Sequence, residues 1–292
     1  MTLNEWITEA SARLHTALSP DTPSWSPEIA RSEIKALAAA TLERTPAQLC
    51  LTACNPLTAE ELDRLNHWLN QRKFGVPLAY LTGRVNFWSL ELDVSRETLV
   101  PRADSEVLVE RALLRLPTGG RFLDLGTGSG AIACALGHER PDTTGIATDI
   151  WWPSARVAQQ NCRRHAPNVN VIVSDWLEAF CSKLADSESH LFDLIVGNPP
   201  YLTNDDPHLN GDSLKHEPRI ALVSGQDGLA AIRRITDDAP AQIRHGGWLL
   251  LEHGSTQGAD IRELFRARGF SEISTYQDLS GLDRVTEARW YR

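Results

Sequence analysis

The chain has 292 residues, of which 42% are hydrophobic, and a formal net charge of -9; this length supports one large and one small core. The 38 Asp and Glu against 29 Lys and Arg argue against non-specific nucleic-acid binding, which needs clustered cations, and leave only a local basic patch open. No apolar run approaches a membrane span, and Met1 to Glu9 is acidic and amphipathic, so the expected location is the cytoplasm, without membrane association. The five cysteines (Cys50, Cys54, Cys134, Cys162 and Cys181) are odd in number, contain no Cys-x-x-Cys pair and have no nearby histidine pattern for zinc. They are expected to be reduced and partly buried, with no metal.

Met1 to about Phe74 has helical periodicity. Leu3, Trp6, Ile7, Ala10, Leu14 and Leu18 make one apolar stripe, which Ser19-Pro20-Asp21 ends. A second helix starts at Ser26-Pro27 and runs towards Thr45-Pro46. Thr58 and Glu61 have capping-box spacing before Leu62, Leu65, Trp68 and Leu69, and Gly75 then Pro77 stop that helix. The period then changes to two: Val85, Phe87, Leu90, Leu92 and Val94 predict a hairpin, and Asp104 or Ser105 caps a helix through Leu108 and Ala112. The domain expectation is therefore helices over 1–75, a connecting hairpin and linker over 76–103, and an α/β domain over 104–292.

Arg121 to Leu125 reads as a buried strand, followed at once by Gly126-Thr127-Gly128-Ser129-Gly130 and a helical run from Ala131. Strand, glycines and helix let a ligand approach the backbone at a helix N-terminus. The next strand, Thr144 to Ala147, leads to Asp149, about twenty residues past the loop, where a carboxylate can take ribose hydroxyls. The loop lacks the dinucleotide spacing and no Walker lysine follows, so S-adenosyl-L-methionine is the expected cofactor. A helix from Ser154, the strand Val169 to Val173 and Ser174-Asp175-Trp176 continue the alternation. Asp175 can accept from an exocyclic amine, and Trp176 can cover an adenine face or simply pack in the core.

Asp193 to Val196 is a further strand, and Asn198-Pro199-Pro200-Tyr201 ends it abruptly, because two prolines remove ladder donors. Asn198 is thereby presented at the carboxyl edge of the sheet, where open α/β folds bind ligands. A helix Leu229 to Ile243, a strand Trp248 to Glu252, a helix Ile261 to Ala267, and strands Ile273 to Tyr276 and Val285 to Tyr291 complete a doubly wound sheet of seven strands.

These residues resemble the class I methyltransferases that modify the amide of glutamine. Phe87-Trp-Ser89, Pro101-Arg-Ala-Asp-Ser-Glu106 and His216-Glu-Pro218 narrow the resemblance to the bacterial peptide-chain release factor glutamine methyltransferases, over nearly the whole chain. The resemblance implies that Gly126, Thr127, Gly128, Ser129 and Gly130 form the cofactor loop, that Asp149 holds the ribose, and that Trp176 contacts adenine. Asn198, Pro199, Pro200 and Tyr201 would bind the glutamine of a Gly-Gly-Gln motif in a release factor, with Asn198, Pro199 and Tyr201 serving the chemistry by positioning. No strong base is evident in the sequence. Trp151-Trp152 after Asp149 departs from the smaller residues expected there. Three other readings stay open: a ribosomal-protein glutamine, the adenine amine of DNA with Arg219 or Arg233-Arg234 on phosphate, and a non-catalytic scaffold that binds the cofactor.

Overall fold

The computed structural model describes residues 1–18, 25–180, 191–211 and 214–291. The expected stop of the first helix at Ser19-Pro20-Asp21, and Cys181, lie outside them. The chain divides into two units, Met1–Arg84 with Pro207–His216, and Val85–Asp206 with Glu217–Arg292, so the division falls inside the first hairpin strand.

The first unit is helical. The apolar stripe of α1 (Leu3–Leu18) is buried along its length. Ser26 accepts from the Ile29 N–H to start α2 (Pro27–Leu42), with proline in the first turn. Both α3 (Pro46–Leu51) and α4 (Ala59–Lys73) open with capping boxes, Thr45 with Gln48 and Thr58 with Glu61, and α5 (Leu78–Thr82) closes the unit. Leu3, Leu14, Ile34, Leu37, Leu65 and Leu69 form its core, and Arg72 on α4 pairs with Glu33 on α2 at 2.7 Å. Trp6 belongs to this core and Trp25 and Trp68 pack against it.

The second unit begins in the hairpin β1 (Arg84–Phe87) and β2 (Leu90–Asp93). It continues through α6 (Glu106–Arg115), β3 (Arg121–Leu125), α7 (Ala131–Glu139), β4 (Thr144–Asp149), α8 (Trp152–His165), β5 (Val169–Val173) and β6 (Phe192–Gly197). After a long loop come α9 (Ala230–Asp238), β7 (Ile243–Glu252), α10 (Gly258–Arg268), β8 (Ser271–Gln277) and β9 (Asp283–Arg289). The sheet order is β5-β4-β3-β6-β7-β9-β8, parallel from β5 to β7 and antiparallel where β9 joins β7 and β8.

Successive strand residues serve opposite faces. Phe122, Leu194, Val196 and Leu250 pack on the side of α6 and α7, while Leu123, Ile195, Leu249 and Leu251 pack on the side of α9 and α10. One boundary differs from the sequence expectation. The helix expected to reach Ile243 stops at Asp238, Pro240 sits in a short 3-10 turn, and Ile243 already pairs with Phe192 in the sheet; proline lacks the N–H that would continue the α-helical ladder. The two buried cysteines, Cys134 and Cys162, belong to the core, whereas Cys50 and Cys54 are exposed. Among the described residues no helix is long and apolar enough to cross a membrane.

Phe122 is fully buried at the centre of the sheet. Phe122→Ala is expected to lower the unfolding free energy by about 3 to 5 kcal/mol, read as a shift in the denaturant midpoint; an unshifted midpoint would contradict this packing.

Candidate functional site

Strand order reverses between β3 and β6: β4 and β5 extend the sheet on one side of β3, and β7 extends it beyond β6. Leu125 is the register partner of Gly197, so Gly126 and Asn198 leave neighbouring strands at the same edge. Crossover helices diverge at such a point and leave a crevice. A cavity of about 440 Å³ opens there, lined by Gly126 to Ser129, Asp149, Asp175, Trp176, Asn198 and Pro200, with Ser105, Arg102 and Trp151 on its rim.

The glycine loop is shaped to leave room. Gly128 has φ 60°, and nothing lies within 4 Å of where its Cβ would stand, whereas a Cβ on Gly126 would meet the Trp176 ring at 3.1 Å. The Asp149 carboxylate accepts from the Gly128 N–H at 2.9 Å, the Trp151 N–H at 2.8 Å and the Ser154 hydroxyl at 3.1 Å. Burial pushes the Asp149 carboxyl above its ordinary value, and these donors oppose that push. Beneath the loop, fully buried Asp124 accepts from the Thr127 hydroxyl at 2.6 Å, and burial pushes it up to about 7.

Asp175 lies on the cavity wall as expected from its position after β5, but it is also ion-paired with Arg234 at 2.7 Å, a partner supplied by α9. Trp176 adopts φ 50° with its ring over Gly126. Of the tetrapeptide, Asn198 and Pro200 line the cavity, and Pro199 is buried. Burial, followed by the nearby Glu252 charge, pushes the Tyr201 hydroxyl up to about 12. A phenol held there is neutral across physiological pH and suits packing, not proton abstraction. Trp151 stands on the rim with its indole N–H on Glu97 at 2.7 Å, and Trp152 is 60% exposed.

Three features escaped the sequence reading. Ser105 does not cap α6: it has helical backbone angles and its hydroxyl makes no cap bond. Instead it accepts from the Asn198 side-chain nitrogen at 3.3 Å. Glu217 is buried and clasps the segment entering the cavity, accepting from the Val100 N–H at 3.0 Å and from the Arg102 guanidinium. Gln257 holds the tetrapeptide from behind, donating to the Tyr201 carbonyl at 3.1 Å while its own carbonyl accepts from Gly254 N–H at 2.9 Å. Each partner is distant in sequence, and no local spacing signals the contact.

The arginines left for phosphate by the sequence are engaged within the protein. Arg233 pairs with Asp227 at 2.5 Å, Arg234 with Asp175 and Glu178, and Arg219 donates to the Asn204 carbonyl at 3.0 Å.

The family model described as PrmC N-terminal domain matches residues 5–83, and that described as Methyltransferase small domain matches residues 102–212. The release factor glutamine methyltransferase of Xylella fastidiosa (strain 9a5c) is 44% identical over 264 residues, which cover 89% of this chain and 94% of that protein. The protein of the same name from Escherichia coli (strain K12) is 38% identical over 294 residues, covering 100% of each. Of the solved structures, a methyltransferase from Pyrococcus furiosus has a TM-score of 0.50 at 17% identity, over 70% of this chain and 91% of its own. A T. thermophilus 16S rRNA methyltransferase in complex with AdoMet and guanosine also reaches 0.50, at 21% identity, over 72% of this chain and 50% of its own. At these identities the structures bear on the fold alone.

Removing the Glu217 side chain leaves the buried Val100 N–H without its acceptor. Glu217→Ala is expected to speed amide exchange at Val100 by about fivefold to 150-fold, from a loss of about 1 to 3 kcal/mol, while exchange at Leu123 and Ile195 is unchanged; equal protection at Val100 would show that the clasp is not needed.

Proposed function

Because the chain belongs to the release factor glutamine methyltransferase family, we propose that it transfers a methyl group from S-adenosyl-L-methionine to the side-chain amide nitrogen of the glutamine in a release factor's Gly-Gly-Gln motif. The work is done in the cytoplasm, where release factors meet ribosomes. The observation that carries this reading for the site is the pairing of Leu125 with Gly197, which brings the glycine loop and the Asn198 amide into one cavity.

The residues present fit the cofactor. The open side of Gly128 admits close approach to the backbone, Asp149 offers a braced carboxylate for ribose hydroxyls, and Asp175 and Trp176 offer an acceptor and an aromatic face for adenine. When bound, S-adenosyl-L-methionine supplies an electrophilic methyl group on a positively charged sulfur.

The protein's task is to prepare a weak nucleophile. An amide lone pair is delocalised into its carbonyl, so the nitrogen must be held in a more tetrahedral geometry before it can react. Asn198 donates through its side-chain nitrogen to Ser105, and its side-chain carbonyl is the end that accepts one N–H of the substrate amide. The Pro199 backbone carbonyl accepts the second. Together they turn the nitrogen lone pair towards the methyl group and stabilise the positive charge that grows on nitrogen during transfer; the methyl-sulfur bond breaks as the nitrogen-carbon bond forms, and the N–H proton of the resulting strongly acidic cation then leaves to solvent. Pro200 and Tyr201 pack against the glutamine side chain. The engagement of Arg219, Arg233 and Arg234 within the protein speaks against a phosphate-binding surface beside this cavity and so against DNA adenine as substrate.

Two substitutions separate cofactor binding from chemistry. Asp149→Ala is expected to weaken S-adenosyl-L-methionine affinity by roughly 10- to 150-fold, the loss of about 1.5 to 3 kcal/mol of charge-assisted hydrogen bonding, in calorimetric titration. Asn198→Ala is expected to lower turnover by orders of magnitude with little change in that affinity, because its contact strengthens in the transition state. A folded Asp149 variant of unaltered affinity, or an active Asn198 variant, removes that residue from its role.

The substrate itself is tested by incubating the enzyme and labelled cofactor with release factor, ribosomal protein, duplex DNA and a short Gly-Gly-Gln peptide, then mapping the label by mass spectrometry. Label is expected on the release-factor glutamine, and far less on the peptide, since the helical unit is proposed to dock a second surface of the factor and raise the loop's local concentration. Label on adenine or preferentially on ribosomal protein overturns the substrate assignment; full activity on the peptide overturns the docking role.

A further inference from the structure

We infer that Glu252 is a positioning residue for methyl transfer: through the Ser105 hydroxyl and its own contact with the Asn198 side chain, its carboxylate decides which end of the Asn198 amide faces the substrate. This rests on the reading that Asn198 accepts an N–H of the glutamine amide.

Glu252 is the last residue of β7, and the pairing of Gly197 with Leu251 places it on the strand beside Asn198. It is 2% exposed, and its Oε2 has no hydrogen-bond partner. A carboxylate buried in this way costs more stability than an apolar side chain of similar size, so a packing role does not account for it. Ser105, Asn198 and Tyr201 face it, together with Arg284 and Asp104. Arg284 is turned to Asp278 at 3.0 Å and to Asp104 at 3.6 Å, so the carboxylate is not neutralised by a dedicated ion pair.

An ionised carboxylate only accepts hydrogen bonds. Ser105 must then donate towards Glu252, and its oxygen lone pairs are left to accept from the Asn198 side-chain nitrogen, as observed at 3.3 Å. That polarity leaves the Asn198 carbonyl as the end available to the substrate. A protonated Glu252 can donate to Ser105, which frees the hydroxyl to donate to the Asn198 carbonyl and turns the amide's N–H groups to the cavity, where they repel the substrate's own N–H. The tetrapeptide backbone is clamped by the Gln257 bond to the Tyr201 carbonyl at 3.1 Å, so rotation of the Asn198 amide is the freedom that remains to be set.

Burial is the largest influence on Glu252 and pushes its carboxyl up to about 7, opposed by the Ser105 and Asn198 donors and by Arg284. The group is therefore ionised above about pH 7 and protonated below it, and turnover is lost as pH falls. Asp124 is also raised to about 7, but it lies under the cofactor loop through Thr127, so its titration acts on cofactor affinity and is silenced by saturating cofactor.

The experiment measures kcat from about pH 5.5 to about pH 9 at saturating cofactor and release factor, for the wild type, Glu252→Gln, Ser105→Ala and Asn198→Ala, with cofactor affinity by calorimetry. The wild type is expected to show an acid limb centred near pH 7, falling about tenfold per unit below it. Glu252→Gln is expected to lose that limb, with kcat at pH 8 reduced about tenfold or more and cofactor affinity unchanged, whereas Ser105→Ala is expected to lower kcat at pH 8 while keeping a weakened limb through the direct contact of Asn198 with Glu252. A wild-type kcat flat to about pH 6 overturns the inference, even if Glu252→Gln fails to fold; so does a folded Glu252→Gln that keeps both limb and turnover. If Asn198→Ala remains active, the reading of Asn198 fails and takes this inference with it. If Asn198→Ala is inactive while the Glu252 and Ser105 variants match the wild type, only the inference about Glu252 fails.

Discussion

Parallel pairing of β3, β6 and β7 is the constraint on which the site depends. With Leu125 opposite Gly197 and Gly197 opposite Leu251, the three strand ends are level: a glycine loop, an Asn-Pro-Pro-Tyr turn and a buried glutamate emerge side by side. Strand neighbours are about 4.8 Å apart, so the glycine loop and the tetrapeptide share one cavity, while Glu252 stands beside Asn198 on the next strand. The register itself is held by cores on both faces of the sheet, because a slip by one residue would exchange Leu123 with Phe122 and Ile195 with Leu194 between them.

Much of this was readable from residue order. Glycines between a strand and a helix, an acid at the end of the next strand, and a proline pair closing a later one each carry a local physical signature. Strands such as Arg121 to Leu125, closed by Gly126, and Asp193 to Val196, closed by Gly197 and the Asn198-Pro199-Pro200 turn, were recognisable because their apolar runs are short and end at turn residues. The helical unit was similarly open to reading, since Thr58 and Glu61 announce a capping box and the leucines of α1 keep helical spacing.

What escaped was the contacts between residues far apart in the chain. Ser105 looks like a helix cap, and local chemistry favours that use, yet its hydroxyl is taken by Asn198, 93 positions away. Glu217 and Arg102 are 115 positions apart and Gln257 and Tyr201 are 56 apart, so neither pairing has a spacing that could signal it. The Leu229 to Ile243 run failed as one helix for a different reason. Apolar residues on both sides of Pro240 continue a helical pattern, while the missing proline N–H and the pairing of Ile243 with Phe192 end it; tertiary pairing outweighs a local period.

Two carboxyls illustrate how the same burial serves different parts of one cavity. Asp124 is covered by the glycine loop and satisfied on one side by Thr127, which ties the loop to the strand that precedes it. Glu252 stands behind the tetrapeptide with one oxygen unpartnered, and leucine there would remove a desolvation cost without disturbing the β7 ladder, which is built from backbone groups. Glu252 breaks the buried apolar run Trp248 to Leu251 that precedes it on the same strand. Such a break costs stability and persists where it orients something else. The group it can orient is Asn198, whose backbone is already fixed by the strand end and the prolines, so that, on the role proposed for Asn198, a single side-chain torsion and the proton on a neighbouring carboxyl that biases it separate a cavity that accepts an amide from one that repels it.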